Sequence, residues 1–190
     1  MTIIENYLHK LNEGKDCKDP SLPNPYDYQS LKLDPKVTKQ DLKILTKWLK
    51  KHKKVLPPGI DTKGRNWLFY SNAQEFRTVP GTYKSDTLAW TIVDKGKRVG
   101  VVGYNKFSTC MLWASWVPGN NYATRGTMLM LDKLKKIINT PGLIISTAIY
   151  DKNIASLAVA KRLKMKFDGR IDIYIYFMFK NNWLWWQKKK

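Results

Sequence analysis

The chain has 190 residues, 43% of them hydrophobic and 13% aromatic, which is enough for one substantial core and too few for two ordinary domains. Its 34 Lys and Arg against 15 Asp and Glu give a formal charge of +19, more than solubility alone requires. Cys17, Cys110, His9 and His52 have no spacing typical of a disulfide framework or a metal site. A leader and an apolar run of about 18 residues are also missing. We therefore expect one cytoplasmic domain that holds no metal and does not span a membrane.

The positive charge is spread along the whole chain. Residues 1–65, 66–150 and 151–190 carry net charges of +6, +6 and +7 (14 basic and 8 acidic residues, then 10 and 4, then 10 and 3). A domain that is basic throughout suits a polyanion such as nucleic acid better than it suits an acidic peptide. An anionic membrane surface would attract the same charge, and a generically basic small protein would show it without such a partner.

Residues 1–35 are predicted to form an irregular N-terminal extension, because four prolines interrupt residues 14–35. A helix is then predicted from the T-x-x-D capping pattern of Thr38 and Asp41 to about Lys54, ahead of Pro57, Pro58 and Gly59. The polar face of this helix carries a lysine stripe, which can follow the phosphates of nucleic acid or simply form a solvated surface. The stripe consists of Lys39, Lys43, Lys47, Lys50 and Lys54.

From residue 87 onward the pattern alternates between strands and helices. Residues 87–94 and 98–104 are rich in Val, Ile and Trp and flank a Lys-Gly-Lys turn, which predicts a hairpin. Further strands are expected over residues 109–117, 143–150 and 170–180, and helices from about Thr127 and over residues 154–164. This order predicts a mixed α/β fold of the α+β type, with a central mixed sheet between layers of helices.

Residues 153–165 resemble the segment N-x-x-[AS]-x-x-x-[YA]-x-x-L-G-F of the GNAT acyltransferase superfamily. Asn153, Ser156 and Leu163 match this pattern, whereas Lys164 replaces its Gly and Met165 its Phe. With the order of elements, the resemblance covers about residues 38–180. It implies a three-layer GNAT-like domain over residues 36–182 that uses acetyl-CoA or another acyl-CoA.

The family binds the CoA pyrophosphate at a [QR]-x-x-G-x-[GA] turn that opens a helix, where free backbone N–H groups meet the phosphates. Residues 122–127 are expected there, with Arg125 near the phosphates, Gly126 one place out of register or in the flexible role, and Thr127 as a helix cap. The pantetheine arm is expected between residues 113–117 and 145–148. The resemblance thus implies these cofactor-binding residues: Trp116, Val117, Tyr122, Arg125, Gly126, Thr127, Asn153 and Ser156.

In this family an amine attacks the thioester directly, a base or water chain removes its proton, and an acid protonates the departing thiolate. Many members place the acid, a Tyr, seven residues after the Asn, where this chain has Ala160. The remaining candidates for the acid are Tyr150, Tyr122 and Tyr174, and Asp151 is the candidate base. Each of these side chains could instead serve only packing or capping.

Residues 183–190 form a predicted aromatic and basic C-terminal tail. Trp185, Trp186 and Lys188 could bind unpaired nucleotides, because indoles stack on bases while lysines neutralise phosphates. The same tryptophans, with Trp183, could instead form a terminal strand that packs into the core.

The sequence leads to three hypotheses of function. The first is an acyl-CoA-dependent N-acyltransferase whose amine is carried by nucleic acid or by a protein bound to it, such as a phage Mom-type enzyme acting on DNA in the host cytoplasm or an enzyme that acylates aminoacyl-tRNA. The second is a catalytically inactive GNAT-shaped protein that binds nucleic acid or a viral assembly partner, which the missing Gly and Tyr favour. The third is a protein N-acetyltransferase, for which the chain has few carboxylates to hold a basic peptide.

Overall fold

Seven strands and four helices make up the computed structural model, which describes residues 25–70, 87–106, 108–137 and 145–179. The strands are β1 (Lys32–Asp34), β2 (Thr87–Asp94), β3 (Lys97–Asn105), β4 (Cys110–Ser115), β5 (Ile145–Tyr150), β6 (Lys166–Ile171) and β7 (Tyr174–Phe179). The helices are α1 (Lys39–Lys51), α2 (Gly64–Tyr70), α3 (Tyr122–Ile137) and α4 (Ile154–Arg162), with two short 3-10 helices, Pro25–Ser30 and Lys53–Val55.

The strands form one sheet in the order β1-β2-β3-β4-β5-β7-β6. All neighbours are antiparallel except β4 and β5, which run parallel. The predicted hairpin is confirmed as β2 and β3, whose turn places Lys95 and Gly96 at φ 47° and 79°. Such left-handed residues suit the twist of a tight hairpin. The mixed sheet of the predicted α/β fold is therefore confirmed.

Helices cover both faces of the sheet and bury a separate cluster on each. Helices α3 and α4 pack on one face through residues such as Leu131, Leu134 and Leu157. Helices α1 and α2 pack on the other face, where Leu45, Leu49 and Leu68 contact the sheet. The predicted three-layer arrangement is thus confirmed. One face of the sheet is covered by α3 and α4, and the opposite face is covered by α1 and α2.

The N-terminal part of the fold differs from the prediction of an irregular segment up to residue 35. Strand β1 pairs with β2, and Tyr28, Leu31 and Leu33 are buried in the larger core cluster. Tyr28 also donates a hydrogen bond to Asp132 of α3. Packed structure therefore begins before residue 36. A three-residue strand flanked by irregular sequence carries too little periodicity to be predicted, and it is formed by tertiary pairing.

The start of α1 is fixed by a capping box and by a buried ion pair. Thr38 and Asp41 cap each other's backbone as predicted, with Asp41 N to Thr38 Oγ1 at 3.1 Å and Thr38 N to Asp41 Oδ2 at 2.7 Å. Arg98 of β3 donates to Asp41 Oδ1 at 2.8 Å and to Asp34 Oδ2 at 2.7 Å. Asp41 has no exposed surface, so one guanidinium joins β1, α1 and β3.

This cluster shifts the pKa values of its members. Burial opposes ionisation of Asp41, but hydrogen bonds from Arg98 and Thr38 outweigh it and hold its pKa below the ordinary 3.8. The backbone N–H of Lys36, followed by Arg98, lowers the pKa of Asp34. The pKa of Arg98 is raised, chiefly by its bond to Asp41. All three groups are therefore charged at neutral pH.

The described residues were compared with what a membrane span and a metal site require. None of their helices is both long and apolar enough to cross a membrane, and none of their His, Cys, Asp and Glu side chains gather into a group of three that could hold a metal ion. The predicted aromatic and basic tail, with Trp183, Trp185, Trp186 and Lys188, lies outside the described residues.

Candidate functional site

Strands β4 and β5 touch at one end and then diverge. Their parallel ladder consists of one residue pair, Cys110 with Ser146, in which Ser146 N donates to Thr109 O at 3.0 Å. A continued ladder would join the Met111 carbonyl to the N–H of Ala148. Instead Thr147 Oγ1 donates to that carbonyl at 3.2 Å. A V-shaped gap therefore opens inside the sheet.

The two walls of this gap carry backbone groups that none of the seven described strands uses. Trp116 N donates to Val99 O at 3.1 Å, and the β3–β4 register then directs alternate residues toward β3. The N–H and C=O groups of Trp113 and Ser115 consequently point into the gap. On β5, Asp151 N donates to the Ile173 carbonyl, so every second residue back along the strand bonds to β7. The backbone N–H and C=O groups of Ala148 lie between these residues and therefore point toward β4. The gap therefore suits an extended ligand that contains amides.

The turn after β4 leads into α3 through three successive left-handed residues. Gly119, Asn120 and Asn121 have φ values of 82°, 50° and 49°. The first bond of the helix runs from Arg125 N to Asn121 O at 2.9 Å. The N–H groups of residues 122–124 precede this bond and have no partner within the helix, as at any helix start. Such a helix start favours an anion.

Helix α3 begins at Tyr122, so the prediction of a turn over residues 122–127 is wrong. Thr127 does not cap the helix, because its hydroxyl is buried in the second turn and donates to Ala123 O at 2.8 Å. The buried Arg125 donates to Asn120 O at 3.0 Å and to Ser30 Oγ at 2.7 Å, so it braces the turn from inside. The polar and aromatic residues at the helix start hide its periodicity in the sequence.

The structure also gives a register for the small residues at this turn. Asn121, Thr124 and Gly126 have the spacing of [QR]-x-x-G-x-[GA], with Gly126 at the final position. A Cβ at Gly126 would lie 2.4 Å from Ile92 Cδ1, so only Gly lets α3 approach β2 this closely. Thr124 is 6% exposed, and its buried Oγ1 has no hydrogen-bond partner among the described residues. A buried hydroxyl without a partner beside free N–H groups fits a phosphate.

Tyr122, a predicted acid and cofactor ligand, is directed away from the gap. Its phenol donates to Asp94 Oδ2 at 2.7 Å and accepts from Asn120 Nδ2 at 3.0 Å. Asp94 ends β2, two strands away from the β4–β5 gap. The bond to Asp94, followed by burial, raises the pKa of Tyr122. The prediction of Tyr122 as a catalytic acid is therefore wrong, and its role is to fix the turn to the hairpin.

Tyr150 lies at the open end of the gap on the face covered by α1 and α2. Ile145 and Ile149 of β5 belong to the cluster under α3 and α4, so alternation places Ala148 and Tyr150 on the opposite face. Tyr174 is the direct cross-strand partner of Tyr150, and Tyr176 that of Ala148. Three phenols therefore share one side of the sheet next to the gap, where a second substrate could approach.

Asp151 lies on the other face and is paired. Its Oδ2 is 2.8 Å from Arg170 Nη2, while the buried Oδ1 has no partner among the described residues. Arg170 belongs to the edge strand β6. The carboxylate predicted as a base thus contacts a guanidinium on the side of α4, opposite the phenols.

No protein-family model and no curated protein matches the sequence. Among solved structures, an acetyltransferase from Agrobacterium tumefaciens superposes with a TM-score of 0.58 at 17% identity, over 80% of this chain and 91% of that one. A GNAT-family acetyltransferase from Bacillus anthracis gives 0.55 at 15% identity, over 78% and 93% of the two chains. RimJ from Mycobacterium smegmatis, solved in complex with CoA-disulfide, gives 0.54 at 15% identity over 84% of each chain.

The chain has the GNAT acetyltransferase fold. Within this fold, the Asn153 predicted from the family pattern caps α4, because Ser156 N donates to Asn153 Oδ1 at 3.1 Å. Asn153 N also donates to the Tyr150 carbonyl at 2.8 Å, which joins the end of β5 to the helix. Ser156 Oγ lies 3.3 Å from Trp113 Nε1, so an indole from β4 contacts α4 on the face of the sheet that α3 and α4 cover.

The other residues that the family resemblance predicted occupy different surroundings, and one position lacks the side chain that the family usually has. Ala160 is fully buried on α4 among core residues, so no phenol is present there. Trp116 packs against the α1–α2 cluster and donates from Nε1 to Arg98 O at 2.9 Å. Val117, two residues after the end of β4, is exposed. Sequence reasoning missed Thr124 and Thr147. The spacing of the family pattern could have found Thr124, whereas no local signal marks Thr147.

Proposed function

We propose that this protein is an acyl-CoA-dependent N-acyltransferase. The observation that carries the proposal is the gap between β4 and β5, in which Trp113, Ser115 and Ala148 offer backbone groups to a ligand. The pantetheine arm of CoA contains amides that can pair with such groups as an added strand would. The start of α3 lies at the end of the turn that follows β4, where N–H groups and the Thr124 hydroxyl fit the pyrophosphate.

Tyr150 is the proposed acid. When bound, the acyl-CoA supplies a thioester, whose carbonyl carbon forms a C–N bond to the amine while its C–S bond breaks. The Tyr150 phenol holds the proton that the departing thiolate needs, and the amine gives its own proton to water. Tyr150 has the suitable position because it closes β5 at the gap on the face of the other phenols. Asp151, bound to Arg170 on the opposite face, positions β6 and is not assigned a proton transfer.

The acceptor amine is proposed to be carried by nucleic acid or by a protein bound to it. An exocyclic amine of a DNA base and the amine of an aminoacyl-tRNA are both members of this class. A basic peptide would need free carboxylates, and the described ones are largely engaged by the fold. Asp34 and Asp41 bind Arg98, Asp94 binds Tyr122, Asp132 binds Tyr28 and Asp151 binds Arg170.

A second candidate function is nucleic-acid binding without acyl transfer. Two observations favour it: Ala160 replaces the usual acid, and the Trp113 indole occupies space between β4 and Ser156 of α4. The two candidates differ in whether acyl-CoA binds and is consumed.

Calorimetric titration of acetyl-CoA tests the proposal. We expect one saturable site per chain and a Kd raised about 10- to 100-fold in Thr124→Val, because the variant loses a hydrogen bond to a charged phosphate worth about 1.5–3 kcal/mol. Thr127→Val is the matched control, since its hydroxyl already bonds inside the helix. Equal affinity in Thr124→Val and wild type would remove Thr124 from the site. If millimolar acetyl-CoA gives no binding heat, the acyltransferase proposal is refuted. Nucleic-acid binding without acyl transfer is then the remaining candidate function.

A further inference from the structure

The segment from residue 36 to residue 65 presents ten exposed cations, which together are called here the cationic face. It is formed by α1, the 3-10 helix Lys53–Val55 and the start of α2, together with the residues that connect them. Its members are all exposed, and they extend the five-lysine stripe predicted from the sequence. They are Lys36, Lys39, Lys43, Lys47, Lys50, Lys51, Lys53, Lys54, Lys63 and Arg65.

The two acidic residues of this segment, Asp41 and Asp61, bond to other groups of the fold. Asp41 is fully buried against Arg98. Asp61 accepts from Lys63 N at 2.8 Å and from Asn66 Nδ2 at 2.6 Å at the start of α2. Among the described residues, no carboxylate lies within ion-pair distance of the ten cations. Carboxylates in the described part of the chain therefore do not neutralise the positive charge of this face.

Such an arrangement costs stability in the isolated protein. Lys39, Lys43 and Lys47 follow one another at i, i+4, and like charges at this spacing repel along a helix. Protein surfaces ordinarily mix both signs of charge. An array of one sign on a rigid, well-packed helix is stabilised when a polyanion binds along it, because each contact releases condensed counterions.

We propose that the cationic face is the docking surface for the phosphate backbone of nucleic acid. The part of the lysine stripe that lies on α1, from Lys39 to Lys50, spans about 16 Å along the helix axis, a length over which duplex DNA carries about ten phosphates. A membrane surface is disfavoured because an interfacial helix needs exposed apolar side chains. The apolar side of α1 is buried on the sheet, and the exposed large apolar residues of the described chain, Val117, Ile154, Phe167 and Ile171, lie on other elements.

The cationic face borders the side of the sheet where Tyr150 lies. Helices α1 and α2 pack against Ala114 of β4, the strand that forms one wall of the gap, and against Trp116, which directly follows this strand. Tyr150 of the opposite wall is on this same face of the sheet. The next step rests on the proposed function. A nucleic acid bound to the cationic face brings its own amine, or the amine of a protein bound to it, to the side of the gap where Tyr150 lies.

The test is binding of a fluorescent DNA duplex of about 20 base pairs, measured by anisotropy at salt from about 50 to 200 mM. We expect the triple variant Lys43→Glu, Lys47→Glu and Lys50→Glu to bind at least about tenfold more weakly. Its slope of log affinity against log salt should fall by about 2–3, since each lost phosphate contact removes about 0.9. The matched control is Lys97→Glu, Lys106→Glu and Lys136→Glu, three exposed residues elsewhere with the same change in net charge.

Equal loss in the two triple variants would overturn the docking surface, because net charge rather than this face would then set affinity. Absence of duplex binding by the wild type at 50 mM salt, or binding to phosphatidylserine vesicles without binding to DNA, would overturn it as well. Acetyl-CoA titrations on the same variants separate the two proposals. Unchanged CoA affinity with lost DNA binding is the expected result, whereas DNA binding without CoA binding would refute only the acyltransferase.

Discussion

Tyr150→Phe is expected to lower the turnover number by about 10²–10⁴-fold, which is the usual contribution of a positioned general acid. The variant removes only the phenolic oxygen. Tyr150 ends β5 at the opening of the gap, so the phenol can meet a departing thiolate, and phenylalanine keeps the packing on that face. Affinity for acetyl-CoA should therefore stay within about threefold, because the pantetheine and phosphate contacts are unaltered. Steady-state kinetics and calorimetry measure the two quantities separately.

Tyr122→Phe is the matched control for this prediction. It also removes a phenolic oxygen, but one bound to Asp94 two strands from the gap. We expect its thermal stability to fall, because Asp94 loses its donor, while turnover stays near the wild-type value. A full turnover rate in Tyr150→Phe would exclude Tyr150 as the acid. Turnover loss in Tyr122→Phe with an unchanged melting temperature would reverse the assignment of the two phenols.

Arg98→Leu is expected to lower the free energy of unfolding by about 3 kcal/mol, the lower end of the range for removing one partner of a buried ion pair, because Asp41 is buried whereas the Arg98 side chain is 29% exposed. Asp41 has no exposed surface, and the variant leaves its carboxylate with only Thr38 and Thr91 as donors. The matched control, Arg65→Leu, removes an exposed arginine that has no carboxylate partner within the described ranges and should change stability by about 0.5 kcal/mol or less. Urea denaturation measures both.

The pH dependence of the same variant follows from the lowered pKa values of Asp41 and Asp34. A carboxylate with a lowered pKa in the folded state contributes stability above its ordinary pKa of 3.8 and loses it as the pH falls through the folded value. The stability difference between wild type and Arg98→Leu should thus be full at neutral pH and shrink below about pH 3.8. A difference that is constant down to pH 2 would contradict the buried ion pair as its source.

Features with a local cause could be predicted from the sequence. The capping box of Thr38 and Asp41, the β2–β3 hairpin and the Asn153 cap each depend on residues within a few positions of one another, and all three are present. Four of the five lysines of the predicted stripe are exposed on α1 for the same reason, because helical spacing alone separates them from its buried side, whereas Lys54 is exposed in the 3-10 helix that follows.

Features with a long-range cause could not be predicted. Arg98 meets Asp41 across 57 positions, and β1 exists only because it pairs with β2. The start of α3 was misplaced because Tyr122 packs toward Asp94 and Arg125 is buried against Ser30, which breaks the expected pattern of polar and apolar residues. The strands β4 and β5 diverge where a side-chain bond from Thr147 stands in place of a ladder bond, and this feature has no signature in the sequence.

The proposed acyl-CoA site is tested most directly by amide hydrogen exchange at single residues, with and without saturating acetyl-CoA. A pantetheine arm bound in the gap should slow exchange at Trp113, Ser115 and Ala148, whose N–H groups face it. Leu112 and Ala114 alternate with them along β4 and already bond to β3, so their exchange should not change. Protection at alternate residues is the expected result. Unchanged exchange at Trp113, Ser115 and Ala148 at millimolar acetyl-CoA would contradict cofactor binding between β4 and β5.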